Sequence, residues 1–146
     1  MANPPRRLAA TAKTAADPPV TTVMSTQIIA ITPDAPLATA LRLMASTGVR
    51  HLPVVDGDRC LGIVSEADLV NCLAREPSPL TAATQRPVWQ LTRRVSPIPR
   101  SARRSDAARR MHTDGLDAVL VTDGGRLVGI VTATDLIRSL AALPSS

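Results

Sequence analysis

The sequence predicts an α/β fold, α+β in its segregation of strands and helices, built as two copies of a β-α-β-β-α unit. Three observations lead there. The stretch Leu61-Gly-Ile-Val-Ser-Glu-Ala-Asp-Leu69 returns 67 residues later as Val128-Gly-Ile-Val-Thr-Ala-Thr-Asp-Leu136. Sliding residues 24–69 onto 91–136 needs no gap and matches 15 of 46 positions, where unrelated pairing of this composition gives about four. At 146 residues the chain holds one compact domain or two small ones, and each copy is short for an independent fold.

Residues 1–19 are rich in Ala, Pro and Thr without periodicity and are expected to form a flexible tail. The first repeat is expected over 20–76, a linker over 77–87 and the second repeat over 88–143. Repeat 1 opens with a strand near 27–31, which Thr32-Pro33-Asp34-Ala35-Pro36 ends. Leu37, Ala40, Leu41 and Met44 recur at helical spacing and Gly48 stops that helix. Asp56-Gly57-Asp58-Arg59 joins the β-rich runs 52–55 and 60–64 as a hairpin. A helix over 66–75 is expected to bury Leu69, Val70 and Leu73.

The linker carries too many breakers for a long helix. Repeat 2 follows the same order, but Pro97 and Pro99 make its first strand, 95–98, short or an edge. Its first helix has Arg104, Ala107, Ala108 and Met111 on the corresponding face, a much weaker apolar stripe. Asp123-Gly124-Gly125-Arg126 repeats the turn, and Leu136, Ile137 and Leu140 repeat the last helix face.

Composition excludes several function classes. Phe and Tyr are absent and Trp89 is the one aromatic, so an aromatic ligand would be held by aliphatic side chains and backbone. The two cysteines, Cys60 and Cys72, make neither a disulfide framework nor a zinc site, and a reduced cytoplasmic setting is expected. No apolar run approaches a membrane span. Arg6-Arg7 raises a twin-arginine export signal, against which stand Lys13 and the weak hydrophobicity of residues 8–16. His51 and His112 pair with no recognisable nucleophile, and HExxH, Walker and GxGxxG patterns are missing, so no enzyme activity is expected. The net charge of +5 is uneven: seven arginines lie between Arg93 and Arg110, marking either a solvated face or an anionic partner.

The doubled Gly-Ile-Val-[Ser/Thr]-x-x-Asp, preceded in repeat 1 by Gly48-Val-Arg-His-Leu-Pro-Val-Val-Asp56, resembles the CBS domain, which occurs as tandem pairs called Bateman modules. The resemblance spans residues 23–140 and implies two CBS repeats packed with pseudo-twofold symmetry in a stand-alone regulatory protein. It further implies that AMP, ADP, ATP or S-adenosylmethionine binds in the inter-repeat cleft and modulates a partner protein, and that no obligatory cofactor is needed. Carried over by position, Asp68 and Asp135 would accept the ribose hydroxyls, with Ser65 and Thr132 beside them. An ionised carboxylate is acceptor-only and suits a cis-diol's two donors.

The resemblance places adenine against Ile28, His51, Leu52 and Pro53 in one copy and Val95, Ala118, Val119 and Leu120 in the other. Phosphate falls to Arg50, whose counterpart is Asp117, with Arg93 and Arg94 as further candidates. The same Ser65-to-Asp68 and Thr132-to-Asp135 segments are also helix N-cap signals, and most of the adenine candidates are equally ordinary strand core. Two other readings stay open. One is a ligand-independent interaction module whose Arg-rich face meets an acidic protein or nucleic acid, although no aromatic platform favours nucleic acid. The other is a structural dimeriser, since CBS modules commonly pair through helix faces; a homodimer is expected in either case.

Overall fold

The computed structural model describes residues 17–75 and 80–142. Repeat 1 comprises α1 (Leu37–Thr47), β1 (His51–Asp56), β2 (Arg59–Ser65) and α2 (Glu66–Arg75). The short helix α3 (Leu80–Thr84) lies within the expected linker. Repeat 2 comprises β3 (Ile98–Pro99), α4 (Arg104–Asp114), β4 (Ala118–Asp123), β5 (Arg126–Thr132) and α5 (Ala133–Ala142). A 3-10 turn leads each repeat, at Val20–Thr22 and Val88–Leu91. The hairpins and the helix over 66–75 stand where the sequence puts them. Gly48 closes α1 in the left-handed region at φ 80°, its N–H bonded to the Met44 carbonyl, a conformation that favours glycine.

The described chain forms two compact units whose membership crosses the sequence repeats. One contains residues 17–26, 96–123 and 128–142; the other contains 27–75, 80–95 and 124–127. The leading segment of each repeat therefore belongs with the hairpin and helices of the other repeat.

In the repeat 1 unit, β1 and β2 pair antiparallel from His51↔Ser65 to Asp56↔Arg59, with an irregularity at Val54/Val55. Ile31 flanks β1 in parallel and Arg93 flanks β2 antiparallel, each by a single bridge. In the repeat 2 unit the sheet order is β3-β4-β5, with Ser25 bridging Ile130 on β5. One core gathers Leu37, Ala40, Met44, Leu52, Val54, Leu69 and Val88. The other gathers Val20, Ile98, Ala107, Met111, Val119, Val121 and Val131.

Four expectations change. The strand at 27–31 reduces to Ile31, which donates to the Pro53 carbonyl and accepts from Val55 N–H, both at 2.9 Å. Continuing that parallel ladder back to Ile29 requires an N–H from residue 53, and Pro53 has none. The strand at 95–98 is likewise confined to Ile98–Pro99.

The ungapped match also slips in the leading segments. Val20 donates to Ala102 O as Val88 does to Ala35 O, and Ser25 bridges Ile130 as Arg93 bridges Ile63. The structural offset there is 68 residues, against 67 between the Ile31↔Val54 and Ile98↔Val121 pairs. The unpaired stretch after Ser25 absorbs the extra residue, because no ladder fixes its register. Lastly, Val70, Ile137 and Leu140 are exposed rather than buried. Leu69 alone on α2 is fully buried, and α5 has no buried residue. Val70 and Ile137 each sit one residue past Leu69 and Leu136, off the row that meets the core, and Leu140 lies on that row but a full turn further along, near the end of α5.

Repeat 2 offsets its poor apolar stripe with polar anchors. Arg104, at the position of fully buried Leu37, is itself buried and donates to Ser139 Oγ at 2.9 Å. Asp106 Oδ2 accepts the Arg103 N–H at 2.8 Å, one half of a capping box. Asp17 supplies a remote cap: its carboxylate accepts the Ser105 N–H at 2.9 Å and the Ser105 hydroxyl at 2.7 Å. The Ser105 hydroxyl leads in holding the Asp17 carboxyl below its ordinary range, with partial burial opposing and the Ser105 amide and Arg103 and Arg104 charges assisting. Residues 17–19 of the expected tail are thus docked on α4; residues 1–16 lie outside the described residues.

Candidate functional site

The duplicated Gly-Ile-Val-[Ser/Thr]-x-x-Asp forms the same strand-to-helix turn twice. In repeat 1, Glu66 N–H donates to the Arg50 carbonyl at 2.8 Å and Asp68 N–H to Ser65 Oγ at 3.1 Å. In repeat 2, Ala133 N–H donates to the Asp117 carbonyl at 2.9 Å and Asp135 N–H to Thr132 Oγ1 at 3.3 Å. Ser65 and Thr132 are therefore helix N-caps, and the adjacent carboxylates sit at the positive end of α2 and α5.

The carboxylates differ in partner, not in burial: the side chains of Asp68 and Asp135 are 19% and 18% exposed. Both oxygens of Asp68 are taken by Arg93, Nε to Oδ2 at 2.8 Å and Nη2 to Oδ1 at 2.9 Å, a bidentate pair. Asp135 turns Oδ2 back on its own turn, accepting Thr132 N–H at 2.9 Å and the Thr132 hydroxyl at 3.0 Å. Its Oδ1 takes no hydrogen bond among the described residues and lies 3.6 Å from Nη1 of the exposed Arg138.

The neighbouring space differs in the same sense. A cavity of about 360 Å³ in the repeat 2 unit is lined by Asp135, Arg138, Ser139, Pro18, Thr22 and Val23. With the offset of 68 in the leading segments, Arg86 and Gln90 replace Pro18 and Thr22, and with the offset of 67 in the last helices, Cys72 replaces Ser139. There Arg86 donates through Nη1 to Cys72 Sγ at 3.2 Å and through Nε to Gln90 Oε1 at 2.8 Å, laying a guanidinium where the other unit is open.

A second cavity in the repeat 2 unit, about 470 Å³, is lined on one side by Asp106, Arg109, Arg110 and Thr113 of α4. It is where the Arg-rich segment meets a concave surface.

The remaining candidates scatter. Arg50 and Arg94 are exposed, and Arg50 contributes its carbonyl to the turn. Leu52 and Val119 are fully buried members of the two cores. Strand alternation puts His51 and Pro53 on the face opposite Leu52, and Ala118 and Leu120 opposite Val119. Of these, Ala118 and Leu120 are nearly fully buried, Pro53 is buried and His51 is half-buried; Ile28 and Val95 are half-buried as well.

Sequence reasoning missed the Arg93–Asp68 pair and the Arg86–Cys72 contact, because both depend on the leading segment of repeat 2 docking on repeat 1. Cys60 is half-buried, and that burial pushes its thiol pKa up. Among the described residues no group of three or more His, Cys, Asp or Glu could hold a metal ion, and no helix is long and apolar enough to cross a membrane.

The CBS domain family model matches residues 20–75 and 88–142. Inosine-5'-monophosphate dehydrogenase of Thermoplasma acidophilum is 29% identical over 117 residues, covering 80% of this chain and 22% of that protein. The chain spans 22–43% of the length of the first three curated relatives it matches. Among solved structures, CBSX2 in complex with AMP has a TM-score of 0.73 at 26% identity, covering 87% of this chain and 98% of that one. The CBS domain of the bacterial CNNM/CorC family Mg2+ transporter, in complex with ATP, has a TM-score of 0.72 at 22% identity, covering 85% of this chain and 87% of that one; it supports the fold alone. With two matched segments, two equivalent turns and two hairpin sheets, this chain belongs to the CBS domain family as a tandem pair.

Proposed function

We propose that the protein is a non-catalytic regulatory sensor that binds AMP, ADP, ATP or S-adenosylmethionine and passes its occupancy to a partner protein in the cytoplasm. The observation that carries this reading is Asp135, which lines the 360 Å³ cavity and whose Oδ1 takes no hydrogen bond among the described residues. A ribose cis-diol supplies the donors such an oxygen lacks, and Arg138 beside it offers a cation for a phosphoryl group. The AMP complex of the similar structure CBSX2 supports the ligand class. No obligatory cofactor enters this reading.

Titration calorimetry of the full chain with AMP, ADP, ATP and S-adenosylmethionine tests it, together with thermal melting at millimolar ligand. Binding to the folded form alone raises the midpoint. Heat and midpoint unchanged with all four, in folded protein, would falsify the reading. Asp135→Ala should weaken whichever ligand binds.

A second reading, an interaction module acting as a homodimer, is favoured by exposed Val70 on α2 and by Ile137 and Leu140 one turn apart on α5. It does not exclude the first. Sedimentation equilibrium distinguishes a two-chain mass from a one-chain mass.

A further inference from the structure

We infer that Arg93 is an internal counter-ion that closes Asp68 to a neutral nucleoside and yields it to a ligand bringing its own anion. The inference rests on the adenine-ligand reading above and makes Arg93 the specificity-determining residue of the repeat 1 half-site. Its guanidinium already occupies both Asp68 oxygens, at 2.8 and 2.9 Å, the atoms a cis-diol would use.

The backbone that carries it is fixed. Arg93 N–H donates to Ile63 O at 2.8 Å, Ile63 N–H donates to Arg93 O at 2.9 Å, and the Arg93 carbonyl lies against Gly62, where no Cβ intervenes. The side chain is not: it is 49% exposed and can swing out while its Cα stays. Arg93 therefore leaves Asp68 without leaving the site.

The consequence follows from charge. A nucleoside that displaces Arg93 supplies two hydroxyl donors to Asp68 and nothing to the guanidinium, which loses both of its bonds to the carboxylate without return. A nucleotide supplies the diol to Asp68 and a phosphoryl group to the displaced guanidinium, so both charges end paired. Repeat 2 lacks this device, because the structural counterpart of Arg93 is Ser25. The Asp135 half-site accepts adenosyl groups with or without phosphate; the Asp68 half-site selects for phosphate.

The test isolates Asp68 in an Asp135→Asn background, since Asn keeps a side-chain oxygen to accept the Thr132 N–H while losing the charge. Adenosine and AMP are titrated by calorimetry into that full-length protein with and without Arg93→Ala. The expected result is that Arg93→Ala tightens adenosine by up to about fivefold, the scale of a partly exposed ion pair, and weakens AMP. An AMP-to-adenosine affinity ratio unchanged by Arg93→Ala overturns the inference and leaves the nucleotide reading standing. No binding of either ligand by wild type or by either variant overturns both. Adenosine binding that appears only after Arg93→Ala supports the inference on its own.

Discussion

Replacing Gly62 by Ala tests how the leading segment of repeat 2 docks on β2, and the structure sets its magnitude against an internal control. Gly62 has φ 153° and its missing Cβ would overlap the Arg93 carbonyl oxygen, with Thr92 Cγ2 at 3.0 Å. The obstacle is backbone, so no side-chain rotation relieves it. Relief means moving residues 92–93 away, which breaks the two Ile63–Arg93 hydrogen bonds, at about 1 kcal/mol each, and strains the Arg93–Asp68 pair, at up to about 1 kcal/mol.

Adding about 1 kcal/mol for an unfavourable φ gives a loss of roughly 3–4 kcal/mol. Gly57, at φ 62° in the β1–β2 turn with nothing within 4 Å of its Cβ position, bears only the conformational part, so Gly57→Ala should cost about 1 kcal/mol. Urea unfolding followed by circular dichroism and by Trp89 fluorescence reads both; Trp89 lies on the segment that must move. A Gly62→Ala cost no larger than that of Gly57→Ala would refute the docking argument.

Asp17→Asn should cost about 1 kcal/mol near neutral pH through the remote cap on α4. Because the folded carboxyl is depressed, its contribution is full above the unfolded value near 4 and fades as pH falls through the folded one; a denaturation series from pH 6 to 2 should show that slope in wild type and a reduced one in the variant. Arg104→Ala should destabilise by about 2 kcal/mol, since it empties a buried position and strands Ser139, while Arg104→Leu, copying Leu37, should recover part of the packing, as read by urea midpoints. Ile137→Ser with Leu140→Ser should leave unfolding free energy within about 0.5 kcal/mol, both side chains being exposed, and should lower the sedimenting mass if α5 joins two chains.

What the sequence discloses follows how local each determinant is. The hairpins were legible because Asp-Gly turns and flanking β-rich runs act within a few residues, and the starts of α2 and α5 because Ser65 and Thr132 cap three residues ahead. The strand at 27–31 was not, since its extent depends on Pro53 in a different element. The breadth of the α2 and α5 apolar faces misled as well: amphipathic spacing identifies a helix but not which of two adjacent apolar rows meets the core. The Asp68 half-site was legible only in its acceptor. Its partner Arg93 is 25 residues away, on a leading segment whose register no ungapped match reveals.

That one-residue difference in register carries the asymmetry of the two half-sites. An offset of 67 would pair Arg93 with Thr26 as counterparts, but the bridges pair it with Ser25. At the same offset Arg86 answers to Pro18 and Gln90 to Thr22, so the bulky or charged member of every such pair falls on the repeat 1 unit. The turns that present Asp68 and Asp135 keep the same backbone bonds, from Glu66 to Arg50 and from Ala133 to Asp117. Divergence has therefore spared the scaffold that aims each carboxylate and concentrated in what faces it. A duplicated site changes ligand preference most cheaply in this way, because a side chain on a docked segment alters the charge opposite the acceptor without disturbing the cap or the core beneath it.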